Sequence, residues 1–330
     1  MPDPHEIHAT VLRDEVVGWL QPKPGGRYLD GTLGLGGHTE AILEASEGAE
    51  VLGLDRDREA LALARQRLAR FGDRVHTAHL PFSRFQDGLA DLGWDEVDGA
   101  VLDLGVSSLQ LDDRERGFSF LGDGPLDMRM DAGSGAAPAR TLVNKGSFEE
   151  LKRIIREYGD EPLAGKIARA MVRKREDEPI ETTGQLAELV SRAYPPDRRR
   201  KARNHPATRT FMALRMAVNQ ELDELEEFLR RMPGPLAPGG RLAVISFHSL
   251  EDRQVKRAFR DWARDCVCPP RQMLCTCRGH ALVKLMTKKP QEAAEQEVAA
   301  NPRARSAKLR VCERLPEPGA KTEDSAEAGS

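Results

Sequence analysis

Four glycines crowd one stretch, Asp30-Gly31-Thr32-Leu33-Gly34-Leu35-Gly36-Gly37-His38, and an aspartate, Asp55, follows Gly36 by nineteen residues. Glycines in a strand-to-helix turn let the backbone approach a ligand closely and present helix N-terminal N–H groups to it. A carboxylate placed like Asp55 accepts hydrogen bonds from ribose hydroxyls. A plain tight turn for the glycines and a helix cap for Asp55 are the plainer alternatives. The strict dinucleotide fingerprint G-x-G-x-x-G would need a third glycine at position 39, where Thr39 stands. A nicotinamide-dependent dehydrogenase is therefore the weaker match. An acidic residue at the strand end, Asp30, with looser glycine spacing suits a ligand that carries an amino-acid moiety in place of a pyrophosphate. The turn points to S-adenosylmethionine and a methyltransferase.

A second stretch, Asp103-Leu104-Gly105-Val106-Ser107-Ser108, closes an apolar run, at the place where α/β proteins set their ligands. Enzymes of this class that methylate amino groups usually carry there an Asp or Asn followed by two prolines and an aromatic. The prolines and the aromatic are missing here. Asp103 is the candidate catalytic acceptor for an amine N–H, with neighbouring backbone carbonyls, or a capping or purely cofactor-binding role, as alternatives.

These residues need a scaffold. Short apolar runs at 28–29, 51–54, 75–80 and 100–104 alternate with helix-like segments, such as 58–71 with Leu61, Ala64, Leu68 and Phe71 in helical spacing before Gly72. Buried parallel strands joined by crossover helices are implied. Beyond Ser108 a loop-rich stretch leads to helices at 147–158, 163–175 and 183–194 with no strand between them, and strands resume at 241–247 and 307–314. The apolar spacing over 207–231 predicts one helix packed back on the sheet. The expected organisation is a Rossmann-like α/β methyltransferase domain, residues 1–108 and 206–314, interrupted by an all-α insert, 109–205, for substrate recognition. Residues 315–330 are too poor in apolar groups to offset the entropy of ordering and read as a disordered tail.

Of 330 residues, 39% are hydrophobic and 31% charged, and the longest apolar runs fall far short of a membrane span. The acidic start lacks the basic and apolar regions of a secretory signal, and five cysteines suit a reducing compartment, so a cytoplasmic, non-membrane protein is expected. A net charge of −3 neither announces nor excludes a nucleic-acid partner.

Taken with the long motifs Gln110-Leu111-Asp112-Asp113-Arg114-Glu115-Arg116-Gly117-Phe118-Ser119-Phe120, Gly124-Pro125-Leu126-Asp127-Met128-Arg129-Met130-Asp131 and Ile245-Ser246-Phe247-His248-Ser249-Leu250-Glu251-Asp252-Arg253, the sequence closely resembles the bacterial 16S ribosomal RNA (cytosine-N4)-methyltransferase family, of the RsmH or MraW type. The resemblance runs from about His8 to Arg314. It implies a class I methyltransferase sheet with an inserted helical domain. The implied reaction is methylation of the N4 amino group of a cytidine in the decoding region of small-subunit ribosomal RNA. By matching motif positions, the implied cofactor contacts fall on Gly36, Gly37, His38, Asp55, Phe82, Asp103 and Gln110, with Phe82 as a wall for the adenine ring or, more plainly, a core residue. The cytosine amine is a poor nucleophile, because its lone pair is delocalised into the ring. Acceptors for its N–H bonds and an in-line methyl would supply much of the acceleration, and that reaction calls for no metal.

The run Arg198-Arg199-Arg200-Lys201-Ala202-Arg203 puts five cations in six residues and is the phosphate-contact candidate, against a plain solvated charge run. The expected partner is 16S ribosomal RNA or the small ribosomal subunit, with no DNA and with homo-oligomerisation left open. Cys266-x-Cys268 and Cys275-x-Cys277 supply enough thiolates for one tetrahedral zinc. Because C-x-C is a less usual spacing than C-x-x-C, they are read first as reduced, unligated thiols and no metal is assigned, with structural zinc the alternative. Met128 and Met130 are left between core packing and a substrate-facing loop. A non-catalytic RNA-binding assembly factor on the same fold is the rival in function.

Overall fold

The computed structural model describes residues 10–201, 204–269, 272 and 274–318. Most of the expected tail, from residue 319 on, and the end of the basic run, Ala202 and Arg203, lie outside the described residues. The chain forms two compact units. One comprises the chain up to Asp55, Glu59–Gly105 and the chain from Leu225 on; the other comprises Arg56–Arg58 and Val106–Glu224.

Among the described residues the first unit has seven strands: β1 (Arg27–Asp30), β2 (Glu50–Asp55), β3 (Val75–His79), β4 (Val97–Asp103), β5 (Leu236–Ser246), β6 (Val283–Leu285) and β7 (Lys308–Arg314). They form one sheet in the order β3-β2-β1-β4-β5-β7-β6. β1 to β5 run parallel, and β7 is antiparallel to both β5 and β6. The order reverses between β1 and β4, the crevice where open α/β sheets bind ligands. This is the α/β Rossmann-like architecture expected from the alternation of apolar runs and helices.

The strands are apolar on both faces because helices cover both. Leu52, Leu54, Ala100, Leu102, Leu242 and Val244 pack on one side with Phe85 and Phe228. Their neighbours Val51, Val101, Ala243 and Ile245 pack on the other with Ile42 and Leu43. Each fully buried side chain of this size contributes roughly 1.5–3 kcal/mol relative to exposure.

The second unit is helical. Helices Phe148–Glu157, Ala164–Asp177 and Thr183–Ala193 occur where the apolar spacing places them. Capping boxes, Ser147 with Glu150 and Thr182 with Gln185, open the first and the third. Leu151, Ile155, Ile167, Met171, Leu186 and Leu214 centre its core. Met128 and Met130 are buried in the same core, Met128 at φ 62°, and Asn219 accepts from Met130 N at 2.8 Å and donates to Met128 O at 2.7 Å. Core packing is thus the place of both methionines.

The single helix expected over 207–231 is two, Thr208–Asn219 and Glu221–Arg231, separated by Gln220 in the left-handed region at φ 53°. Phe211 and Leu214 of the first belong to the helical core, whereas Leu225, Phe228 and Leu229 of the second belong to the sheet core. The apolar period runs on through the break because each piece has its own core to face.

Candidate active site

In a parallel sheet the C-terminal ends of the strands meet on one edge. Asp30 closes β1, Asp55 closes β2 and Asp103 closes β4, while Phe82 opens a short 3-10 turn just past β3. Asp30 stands in register with Gly53 on one side and Val101 on the other. The first unit therefore brings together Gly36, Gly37, His38, Asp55, Phe82 and Asp103 at the point where the strand order reverses.

Hydrogen bonds bolt the glycine turn to three strands. Gly31 N donates to Val101 O at 3.0 Å and Leu33 N to Leu54 O at 2.8 Å. The Asp55 carboxylate accepts from Gly34 N at 2.7 Å, so it holds the turn as well as facing it. Asp30 accepts from Thr32 N at 3.2 Å and from the Thr39 hydroxyl at 2.8 Å. Thr32 Oγ1 accepts from Asp103 N at 2.6 Å, which ties the turn to the end of β4. Thr39, the residue that breaks the dinucleotide pattern, is a buried partner of Asp30.

Gly36 caps helix Gly37–Ala45 at φ 84°, a conformation that side chains with a β-carbon resist, and no side chain caps the helix there. The helix N-terminus is left to backbone N–H groups, which suit a carboxylate. At Gly37 a β-carbon would stand 1.8 Å from Thr10 Oγ1. Phe82 lies beside the turn, its Cβ 3.2 Å from where a β-carbon on Gly31 would be, and its ring meets Phe228 edge-on at 5.8 Å.

Burial pushes the Asp30 carboxyl above the usual carboxylate range, against the pull of His38, the Thr39 hydroxyl and Thr32 N–H. His38 is 4% exposed, and among the described residues neither ring nitrogen has a hydrogen-bond partner. Its Nε2 is 3.6 Å from Asp103 Oδ2, too far for a hydrogen bond, and Asp103 Oδ1 is buried without a partner among the described residues. Buried polar atoms left unpaired cost about 1–3 kcal/mol each, so this corner is made for a polar ligand. S-adenosylmethionine fits it. The uncapped helix end, the orphaned His38 and the Asp103 Oδ2 beside it suit its charged amino-acid end, Asp55 suits the ribose and Phe82 the adenine.

Gln110 belongs to the second unit. Its side-chain oxygen accepts from Ser107 N at 3.2 Å and its Nε2 donates to Asp57 Oδ2 at 2.9 Å. Ser107 Oγ accepts from Gln110 N in return, a capping box legible as Ser-x-x-Gln ahead of helix Ser108–Asp112. Asp57 also accepts from Arg116 Nη2 at 2.7 Å, within the motif that follows Gln110. Sequence reasoning passed over Asp57, Thr32 and Glu251. Glu251 is buried in the first turn of helix Ser249–Trp262, just past β5, accepts from Phe247 N at 3.0 Å and pairs with His248 Nε2 at 2.9 Å; His-x-x-Glu was its signal.

The model of the MraW methylase family matches residues 5–315. The chain belongs to that family. It is 59% identical over 317 residues to the ribosomal RNA small subunit methyltransferase H of Maridesulfovibrio salexigens, covering 96% of this chain and 98% of that one. It is 60% identical over 315 residues to the protein of the same name from Solidesulfovibrio magneticus, covering 95% of this chain and 97% of that one. Among solved structures, a putative rRNA methylase from Clostridium thermocellum is similar over 93% of this chain and 100% of its own, at 12% identity and a TM-score of 0.42, too loose a likeness to carry detail. This member of the family is an S-adenosylmethionine-dependent methyltransferase, and the catalytic reading prevails over that of a non-catalytic assembly factor. No helix among the described residues is long and apolar enough to cross a membrane.

Proposed function

We propose that this methylase transfers a methyl group to the N4 amine of a cytidine in the decoding region of 16S ribosomal RNA, in the cytoplasm. The observation that carries the reading is Asp103 Oδ1, a buried acceptor at the end of β4 with no donor among the described residues. Both relatives named above are called ribosomal RNA small subunit methyltransferases, which supports the choice of substrate.

When bound, S-adenosylmethionine supplies an electrophilic methyl group on a sulfonium. Gly36, Gly37 and His38 hold its amino-acid end, and Asp55 and Phe82 hold its ribose and adenine. Asp103 accepts an N–H bond from the cytosine amine, which turns the nitrogen lone pair out of conjugation and balances the positive charge that grows on nitrogen during attack. Thr32, bonded to Asp103 N, keeps that strand end in place relative to the turn. Gln110 is held by Asp57 of its own unit, its partner at 2.9 Å.

The base must leave its stack to react. The helical unit offers cations for the RNA backbone. Arg198, Arg199 and Arg200 stand on a short helix, Pro196–Lys201, that buries none of its residues. A second basic surface is a groove of ≈ 730 Å³ lined by Lys166, Arg169, Arg173, Lys174 and Arg192. Among the described residues Lys174 and Arg192 are paired with Glu178 and Glu188, while Lys166, Arg169 and Arg173 have no acidic partner. Mapping methylated cytidines in small-subunit RNA from cells with and without this protein tests the proposal. One N4-methylated position should vanish; an unchanged map overturns it.

A further inference from the structure

Between helix Ser249–Trp262 and strand β6 lies a loop with four of the five cysteines. We propose that Cys266, Cys268, Cys275 and Cys277 bind one zinc ion as a structural tetrathiolate site.

The geometry carries this. Four of the six Sγ···Sγ separations are close contacts: 3.7 Å for Cys266–Cys275, 3.9 Å for Cys268–Cys275, 3.4 Å for Cys275–Cys277 and 3.8 Å for Cys277–Cys266. All four sulfurs lie within 4.8 Å of one another. A tetrahedron with Zn–S bonds of about 2.3 Å has edges of about 3.8 Å. A disulfide needs about 2.05 Å between its sulfurs, well short of every separation given above, and all four cysteines are free.

Packing does not explain the cluster. Thiols are weak donors and acceptors and offer little reason for four to converge. Nor does an apolar core hold them: Val267 is 40% and Leu274 79% exposed, and Cys266 and Cys275 are exposed themselves. Cys312, by contrast, is buried in the sheet as an ordinary apolar residue.

The surroundings suit a bound ion. Val267 N donates to Cys277 Sγ at 3.4 Å, the kind of N–H···S contact that steadies a metal thiolate. The stem of the loop is closed by Arg278, which donates to Arg264 O at 3.0 Å and His280 O at 2.8 Å, and by Ala281 N on Asp265 at 3.2 Å. Four protein ligands fill a zinc tetrahedron and leave no open position for substrate, so the site is structural, and each thiol gives up its proton to solvent as it ligates. Its work is to fix the crossover that delivers β6 to β7.

The test uses the full chain purified without metal-affinity steps. Elemental analysis should find about one zinc per chain. A thiol reagent should find the loop cysteines protected until a chelator strips the metal, with Cys312 protected throughout. The paired substitution Cys268→Ser with Cys277→Ser should abolish the zinc and speed proteolytic cleavage within the loop, while S-adenosylmethionine binding is kept. Should that variant fail to fold, the stripped wild type titrated with Co²⁺ should give the strong visible bands of a tetrahedral thiolate and lose them to Zn²⁺. Protein that carries no zinc and whose loop thiols stay reactive after zinc is added overturns the proposal, as does stoichiometric iron in zinc's place.

Discussion

Replacing Asp103 with asparagine isolates the chemistry proposed for it. The tie between the glycine turn and β4 runs from Asp103 N, a backbone group, to Thr32 Oγ1 at 2.6 Å, so it survives any change of side chain. Asparagine keeps the size of the residue and one oxygen, and removes the negative charge that meets the cytosine amine. Acceptors or donors aimed at charge that develops in the transition state contribute about 2.7–4 kcal/mol, or about 10²- to 10³-fold in kcat. The other cofactor contacts, Gly36, Gly37 and Asp55, are untouched, so the cofactor loses at most about one hydrogen bond of affinity, roughly tenfold. Asp103→Asn should therefore lower kcat for methyl incorporation into small-subunit RNA by two orders of magnitude or more. Its calorimetric Kd for S-adenosylmethionine should move far less and its melting temperature little. A kcat within about threefold of wild type, under 1 kcal/mol of barrier, refutes the assignment and leaves the work to backbone carbonyls.

Three further outcomes follow from the same geometry. Gly37→Ala forces a β-carbon to within 1.8 Å of Thr10 Oγ1; overpacking of about 1–3 kcal/mol should lower the melting temperature by several degrees. Thr10→Ala in the same chain should restore most of that loss, and simple additivity of the two changes would show that the turn does not lie against Thr10. In the basic groove, Arg169→Ala with Arg173→Ala should weaken RNA binding and make its log–log salt dependence shallower by about 1.4, two single-strand phosphate contacts, with cofactor affinity unchanged; an unaltered slope removes the groove from the interface. Burial raises the Asp30 carboxyl from its ordinary value of 3.8. Its contribution to stability is complete below that value and is lost as pH rises through the raised one. Asp30→Asn cannot ionise, so thermal melts should show the variant gaining on the wild type as pH climbs from about 4 to neutrality. A gap that is constant or widens with pH contradicts the buried-carboxylate reading.

The strands that carry the site were legible because each is a run of apolar residues ended by a chemically distinctive one, as Asp30, Asp55 and Asp103 show. Strand β6 was not, since three residues, Val283–Leu285, are too few to display a period. The break at Gln220 was hidden for a different reason: left-handed backbone at a non-glycine residue leaves no compositional mark, and the apolar spacing continues on both sides. Within the site, residue types were readable but their bonds were not. Nothing local in Thr32 announces that it accepts from a backbone group seventy-one residues away. The groove cations Lys166, Arg169 and Arg173 share one helical face at spacings of three and four, yet the wall opposite, on helix Thr183–Ala193, is a tertiary fact.

Strand β7 has a further meaning for how the protein is made. It lies between β5 and β6, and its adjacent residues Val311 and Cys312 enter the two opposite cores of the sheet. During synthesis every other strand of the sheet emerges first, and β5 waits with a row of unpaired backbone groups until Lys308–Arg314 arrives. A nascent chain arrested short of Lys308 holds its glycine turn and all three strand-end aspartates, yet keeps an open edge that invites pairing with another chain. The arrival of Lys308–Arg314 is what pairs the second side of β5.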